Sequence, residues 1–117
     1  HFRVPLGEPE RPVFLRYGGG AFYTPHRDGS VDSPQATRDR KVSVVIFLNA
    51  PSRQPEENTY GGGALTFYGL LEGPNWELCP FPLVPEPGLL IAFRSDVLHE
   101  VQPVTFGQRF TIVTWFR

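Results

Sequence analysis

The sequence predicts an all-β domain, a jelly roll or a similar double sheet, and three observations favour this fold class. Twelve glycines and thirteen prolines are spread along the 117 residues and separate short apolar runs. These runs have the length and composition of strands bounded by turns. No segment shows a sustained helical period of apolar residues with start and stop signals, so long helices are not expected. About eight short strands are typical of a jelly roll.

Turn residues and polar segments set the limits of each predicted strand. We expect strands at about 13–17, 22–28, 41–49, 64–68, 89–93, 98–103 and 108–116, with a weaker one near 76–84. The glycines at 18–20 and 61–63 are interpreted as tight turns into strands, because neither cluster is followed by the Lys-Ser/Thr and helix of a phosphate loop. Residues 52–59 are polar and acidic, as in a mobile loop, and 71–87 carry five prolines, as in an ordered crossing loop.

The composition points to one domain without nucleic-acid or membrane partners. We expect a single domain over 1–117, with its core at about 13–117. A net charge of −1 with both signs interspersed gives no footprint for nucleic acid or an anionic membrane, and no apolar run is long enough to span a bilayer. Cys79 is the single cysteine and is interpreted as a buried or loop residue. The absence of a disulfide fits a reducing compartment, so a cytoplasmic protein is expected.

His26, Asp28 and His99 form a candidate metal site. Residues i and i+2 of a strand point to the same face, so His26 and Asp28 can converge on one ion. Two histidines and one carboxylate are the ligands of mononuclear non-haem Fe(II) oxygenases. Alternatives remain open for each of the three residues. The pattern His-x-Asp arises by chance with a probability of about 0.1 in such a chain, and Asp28-Gly29 is also a good turn dipeptide. A lone histidine at position 99 is often only a hydrogen-bonded structural residue.

Arg109 and Thr111 form a candidate anion site on the last predicted strand. They share one face by the same period of two. The neighbouring residues are mostly apolar, and a buried guanidinium is costly unless it meets an anion. A bound carboxylate would satisfy it through bidentate, charge-assisted hydrogen bonds, with the threonine hydroxyl adding another. An internal ion pair with Glu100 or another acidic residue is the alternative, and the two interpretations are about equally favoured for Arg109 taken alone.

Taken together, ordered motifs along the chain resemble the prolyl-4-hydroxylase-like group of Fe(II)/2-oxoglutarate dioxygenases. The resemblance runs from about residue 13 to the C-terminus. Its motifs are, in order, Tyr17 with Tyr23-x-x-His26-x-Asp28; Arg40-x-x-Ser43-x-x-x-Phe47-Leu48-Asn49; Tyr60-Gly61-Gly62-Gly63-Ala64-Leu65-x-Phe67; Pro87-Gly88 with Phe93-x-Ser95-Asp96; and His99-Glu100-Val101-Gln102-Pro103-Val104 with Gly107-x-Arg109-x-Thr111 and Trp115-Phe116.

The resemblance implies a double-stranded β-helix with a complete set of site residues. His26, Asp28 and His99 would bind Fe(II). The co-substrate 2-oxoglutarate would chelate the iron and place its distal carboxylate on Arg109, with hydroxyls from Thr111, Tyr17 and Ser43 near that carboxylate or lining its pocket. Turnover with O₂ would give succinate and CO₂ and hydroxylate an unactivated C–H bond, since metal and co-substrate carry the hard chemistry.

Several features depart from the family pattern. Phe47 stands where the oxygen-sensing members have a tyrosine. Asp28 is retained where related halogenases have a small residue, which favours hydroxylation. The helices that buttress the major sheet in this family are not expected in these residues, so one sheet face is predicted to be bare, paired or covered by other sequence.

Two other functions remain open from the sequence, a catalytically silent jelly-roll binding module and a cupin-like metal enzyme that does not use 2-oxoglutarate. The substrate, a protein residue or a small molecule, would be selected by the loops at 30–39, 50–59 and 71–87. The oligomeric state is not predicted.

Overall fold

The structure, a computed structural model, describes residues 5–70 and 79–117. These residues form eleven β-strands and no helix. The strands are β1 (Val13–Tyr17), β2 (Tyr23–His26), β3 (Val42–Phe47), β4 (Ala50–Pro51), β5 (Thr59–Gly62), β6 (Leu65–Tyr68), β7 (Pro80–Pro82), β8 (Leu90–Arg94), β9 (His99–Val101), β10 (Val104–Gly107) and β11 (Arg109–Phe116). The described residues contain no helix that is long and apolar enough to cross a lipid bilayer.

Two four-stranded sheets face each other across the core. The major sheet has the order β1-β11-β3-β8 and the minor sheet the order β2-β9-β6-β7, while β10-β5-β4 form a third, smaller sheet. The major sheet contributes Val45, Phe47, Phe93 and Val113 to the buried core, and the minor sheet contributes Leu65, Phe67 and Val101. This arrangement confirms the predicted all-β double sheet.

Successive side chains along β3 and β11 point to opposite faces of the sheet, and this alternation decides which of them enter the space between the two sheets. Residues Arg109, Thr111 and Val113 are buried, while the residues between them are only partly so. The antiparallel register places Trp115 opposite Ser43, Val113 opposite Val45 and Thr111 opposite Phe47. Because paired residues point to the same side of a sheet, these six side chains share the inner face.

The outer face of the major sheet is apolar and exposed. Phe14, Ile112, Ile46 and Leu90 are aligned in one row across its four strands. Phe14 is 59% exposed and Leu90 is 54% exposed. No helix from the described ranges covers this row, as the sequence predicted.

Most predicted strands are present with shorter bounds. The strand predicted at 22–28 ends at His26, so Asp28 lies in the bend that follows it, and the strand predicted at 98–103 is limited to 99–101. Of the weaker strand near 76–84, residues 80–82 form β7, and 76–78 lie outside the described residues. Cys79 is exposed in the bend before β7.

The third sheet was not predicted. It is built from β4, β5 and β10, and its central strand includes Gly61 and Gly62 from the cluster that was interpreted as a turn. Glycine at position 61 avoids a clash, because a Cβ there would lie 2.2 Å from a ring carbon of Phe106 and this ring would have to move. Close approach by a neighbouring chain is a known reason for glycine inside a strand.

Candidate metal and co-substrate site

A cavity of about 270 Å³ lies between the major and minor sheets. Both the predicted metal ligands and the predicted anion site open into it. Its polar lining residues are Tyr17, Tyr23, His26, Asp28, Arg40, Ser43, His99, Arg109, Thr111 and Trp115, and its apolar lining residues are Leu15, Val44, Val45, Leu65, Phe93, Val101 and Val113.

The structure brings His26, Asp28 and His99 together. His26 ends β2 and is paired directly with His99, the first residue of β9. Oδ1 of Asp28 lies 3.2 Å from Nε2 of His26 and 3.3 Å from Nε2 of His99. One potential ligand atom from each residue lies within 4.8 Å of the others. The convergence that the His-x-Asp spacing predicts is therefore present, although Asp28 lies just beyond the strand.

Backbone carbonyls orient both imidazoles. Nδ1 of His26 lies 2.7 Å from the carbonyl oxygen of Thr24, and Nδ1 of His99 lies 2.9 Å from that of Val97. A carbonyl oxygen can only accept, so each Nδ1 carries a proton. Each Nε2 faces Asp28, to which it donates when protonated, and it offers a lone pair to a metal ion when deprotonated. Histidine ligands of metals are held in this way in proteins.

Asp28 is partly buried, with 12% of its side chain exposed, but strongly favours its ionised form. Burial acts to raise the pKa of this carboxyl group, but hydrogen bonds with His26, His99 and Ser43 outweigh it and hold the pKa far below its usual range. Oδ2 accepts hydrogen bonds from Oγ of Ser43 at 2.7 Å and from Nε1 of Trp115 at 3.0 Å. Two imidazole nitrogens and an ionised carboxylate fit a divalent first-row metal ion such as Fe(II).

Arg109 is buried at the other end of the cavity and has no acidic partner in the part of the chain that the structure describes. It is 3% exposed, and its guanidinium carbon lies 5.3 Å from the ring centre of Tyr17 and 5.6 Å from that of Phe47. Burial lowers the pKa of Arg109, and Tyr60 and Tyr17 oppose this only in part. Among the described residues no carboxylate forms an ion pair with it. Glu100, the alternative partner, accepts a hydrogen bond from Tyr68 instead.

Two buried polar atoms at this end have no hydrogen-bond partner in the structure. They are Nε of Arg109 and Oγ1 of Thr111, which lie on the same face of β11. A buried donor without a partner is costly. A carboxylate that entered the cavity would satisfy both groups, so the residues fit the distal end of a dicarboxylate such as 2-oxoglutarate.

The structure places the other predicted co-substrate residues as follows. Tyr17 is paired with Arg109 across β1 and β11 and lines the cavity, and burial raises the pKa of its phenol. Ser43 lines the cavity too, but its hydroxyl donates to Asp28 and lies 2.9 Å from that of Ser95. Its observed contact is therefore at the metal end of the cavity.

Four residues near the site were not assigned roles from the sequence. Tyr60 is 1% exposed and lies against Arg109, whose charge acts to lower the pKa of a phenol that burial raises. Trp115, Arg40 and Tyr23 line the metal end, where the ring centres of Tyr23 and His26 lie 3.8 Å apart with the ring planes tilted by 31°. The period of two that links Arg109 to Thr111 also reaches Trp115, so a signal for this residue was present.

Comparisons with known proteins agree with this geometry. Residues 12–117 match the family model described as the 2OG-Fe(II) oxygenase superfamily. The chain is 34% identical over 104 residues to a PKHD-type hydroxylase of Synechococcus elongatus, an alignment that covers 88% of this chain and 41% of that protein. The chain thus spans less than half the length of this relative.

Solved structures of prolyl hydroxylases are also similar to this chain. A crystal structure of a Pseudomonas putida prolyl-4-hydroxylase is 32% identical with a TM-score of 0.69, covering 96% of this chain and 54% of that one. A prolyl hydroxylase of Trichoplax adhaerens, solved in complex with a peptide fragment of the hypoxia inducible factor oxygen degradation domain, is 27% identical with a TM-score of 0.67, covering 95% of this chain and 44% of that one.

Proposed function

The chain belongs to the 2OG-Fe(II) oxygenase superfamily, and from that premise we propose that it is an Fe(II)/2-oxoglutarate-dependent hydroxylase of an unactivated C–H bond. One observation carries the proposal. A single cavity joins the ligand atoms of His26, Asp28 and His99 to two buried, unpartnered polar atoms on Arg109 and Thr111. The first group suits the metal and the second suits the carboxylate of a co-substrate bound beside it.

The overall reaction consumes 2-oxoglutarate, O₂ and substrate and gives succinate, CO₂ and hydroxylated substrate. One oxygen atom of O₂ enters the new carboxylate of succinate, and the other enters the new hydroxyl group. When bound, Fe(II) would supply the activation of O₂ that organic side chains cannot provide.

The residues of this chain have separate tasks in the proposal. His26, Asp28 and His99 hold the ion, and the carbonyls of Thr24 and Val97 keep both imidazoles in the ligating tautomer. Arg109 and Thr111 bind the distal carboxylate of 2-oxoglutarate, and the rings of Tyr17 and Phe47 flank the guanidinium so that water is displaced from it. A dry site strengthens the charge-assisted hydrogen bonds at Arg109.

We propose a prolyl residue of a peptide as the substrate. The complex of the Trichoplax adhaerens neighbour with a peptide supports this choice. At the metal end of the cavity Tyr23 is 49% exposed, with its ring beside that of His26. An exposed ring at this point offers a surface against which a bound chain would pack.

The test is formation of succinate and hydroxylated peptide by the purified chain with Fe(II), 2-oxoglutarate and ¹⁸O₂, using proline-containing peptides and free proline as alternative substrates. We expect ¹⁸O in the product hydroxyl and no turnover by His99→Ala. An absence of both bound metal and succinate would favour the silent binding module. Turnover that needs metal but neither 2-oxoglutarate nor Arg109 would favour the cupin-like enzyme.

A further inference from the structure

We infer that Trp115, together with Ser43, is a positioning residue that restricts Asp28 to binding the metal through one oxygen atom. The inference rests on the proposed function, because it concerns how the same ion is held. It assigns a role to the indole N–H of Trp115, which donates to Asp28.

The two oxygens of the Asp28 carboxylate have different surroundings. Oδ1 faces the two imidazoles, at 3.2 Å from His26 and 3.3 Å from His99. Oδ2 faces the major sheet and accepts hydrogen bonds from Ser43 and Trp115, at 2.7 Å and 3.0 Å. The carboxylate is therefore held with one oxygen toward the ligand cluster and the other toward the protein.

This division has a consequence for coordination. A carboxylate that chelates with both oxygens occupies an additional position on the ion, whereas one-oxygen binding leaves the opposite face open for a co-substrate and O₂. Chelation by Asp28 would require Oδ2 to leave both donors. Since each hydrogen bond to an ionised group is strong, the pair of donors opposes that rotation.

The donors are themselves held in place. Trp115 and Ser43 occupy directly paired positions on β11 and β3. The Arg40 guanidinium carbon lies 3.9 Å from the ring centre of Trp115, and Arg40 makes a bidentate pair with Glu10 at 2.7 Å and 2.8 Å. Stacking by a planar cation that is anchored elsewhere fixes the plane of the indole ring. An orienting shell around a ligand is typical of metal sites in proteins.

The test compares Trp115→Phe, which keeps a ring beneath Arg40 but removes the N–H donor, with Ser43→Ala. Tyr68→Phe is the matched control, because it removes one hydroxyl that donates to a different carboxylate, that of Glu100. Co(II) is titrated anaerobically into each protein, and the visible absorption of bound Co(II) reports its coordination. Thermal unfolding of each metal-free protein shows whether it remains folded.

We expect Trp115→Phe and Ser43→Ala each to weaken Co(II) binding by about 10-fold or more, the usual effect of removing an orienting partner. We also expect both to change the absorption spectrum of the bound ion, and Tyr68→Phe to match the wild type in both readouts. If the wild type binds Co(II) and both variants keep its affinity within about twofold and its spectrum, the inference is wrong while the proposed function stands. A wild type that binds no metal would overturn both. If Trp115→Phe does not fold, Ser43→Ala decides the outcome.

Discussion

Ser43 and Trp115 face each other across β3 and β11, and both donate a hydrogen bond to Oδ2 of Asp28. The same ladder places Thr111 opposite Phe47 four residues closer to the start of β11. One pair of strands thus supports the proposed metal-binding carboxylate at one end and the proposed co-substrate pocket at the other. Any shift of β11 relative to β3 would change both, which ties the geometry of the site to the register of the sheet.

Thr111→Val is expected to stabilise the protein and to weaken 2-oxoglutarate binding. The Thr111 hydroxyl is buried without a partner, so an isosteric apolar side chain should raise the free energy of unfolding by about 1 kcal/mol. Loss of one hydrogen bond to a carboxylate should weaken 2-oxoglutarate about 10-fold. Urea unfolding and calorimetric titration measure the two effects.

Thr66→Val is the control for that substitution. Thr66 also has a buried, unpartnered hydroxyl but does not line the cavity. It should give a similar gain in stability with unchanged 2-oxoglutarate affinity. Equal affinity in Thr111→Val and the wild type would contradict a role for Thr111 in the pocket.

Arg109→Met is expected to abolish co-substrate binding without loss of stability. Arg109 is buried and has no acidic partner among the described residues, so an apolar side chain of similar length should leave the free energy of unfolding equal or raise it by about 1 kcal/mol. Loss of a bidentate, charge-assisted contact should weaken 2-oxoglutarate by about 100-fold or more.

Two further measurements make the Arg109 prediction specific. Co(II) affinity should be unchanged in Arg109→Met, because Arg109 is not among the residues that could ligate the ion. Arg109→Lys keeps the charge but loses the planar fork, so we expect intermediate 2-oxoglutarate affinity. A large loss of stability in Arg109→Met would instead indicate a purely structural guanidinium.

The sequence predicted the layout of the site better than the contacts within it. Strand periodicity correctly placed Arg109 and Thr111 on one face, because this relation depends only on local backbone geometry. His26 and Asp28 also converge, but Asp28 lies in the bend after β2, so the strand argument that predicted the convergence does not explain it. The hydrogen bond from the Ser43 hydroxyl to Asp28 was not predicted, because it depends on how β3 packs beside the bend that follows β2. Such packing is a long-range property of the fold. Gly61 was interpreted as part of a tight turn into the next strand because glycine allows unusual backbone conformations, and the Phe106 ring that lies against it is more than forty residues along the chain.

Gly62→Ala is expected to destabilise the protein strongly. Gly62 has a φ of 64°, and a Cβ at this position would lie 2.3 Å from the carbonyl oxygen of Pro103. A left-handed conformation costs about 1 to 2 kcal/mol for other residues, and overlap with backbone atoms should add about 1 to 3 kcal/mol. Gly18→Ala is the matched control, because nothing lies within 4 Å of its Cβ. Urea unfolding should show a loss only for Gly62→Ala, and equal midpoints for the two variants would disprove the steric account.

Glu10→Gln is expected to reduce stability at neutral pH but not in acid. The hydrogen bond from Arg40 lowers the pKa of Glu10 from its ordinary value of 4.5, although burial acts the other way. A carboxyl group whose pKa is depressed by folding contributes stability above its unfolded pKa and loses that contribution as the pH falls through its folded pKa. The gap in unfolding free energy between wild type and Glu10→Gln should therefore be full near pH 7 and shrink as the pH falls below the ordinary pKa of 4.5.

The size of that gap follows from the exposure of the pair. The side chains of Arg40 and Glu10 are 16% and 23% exposed, and solvent screening at a partly exposed pair limits the effect to about 1 kcal/mol. In an Arg40→Met background the substitution of Glu10 should have a much smaller effect, since the principal partner is gone. Urea unfolding of the four proteins between pH 3 and pH 7 provides the measurement. A gap that persists at pH 3, or that is unchanged by Arg40→Met, would show that Glu10 stabilises the chain by something other than its pair with Arg40.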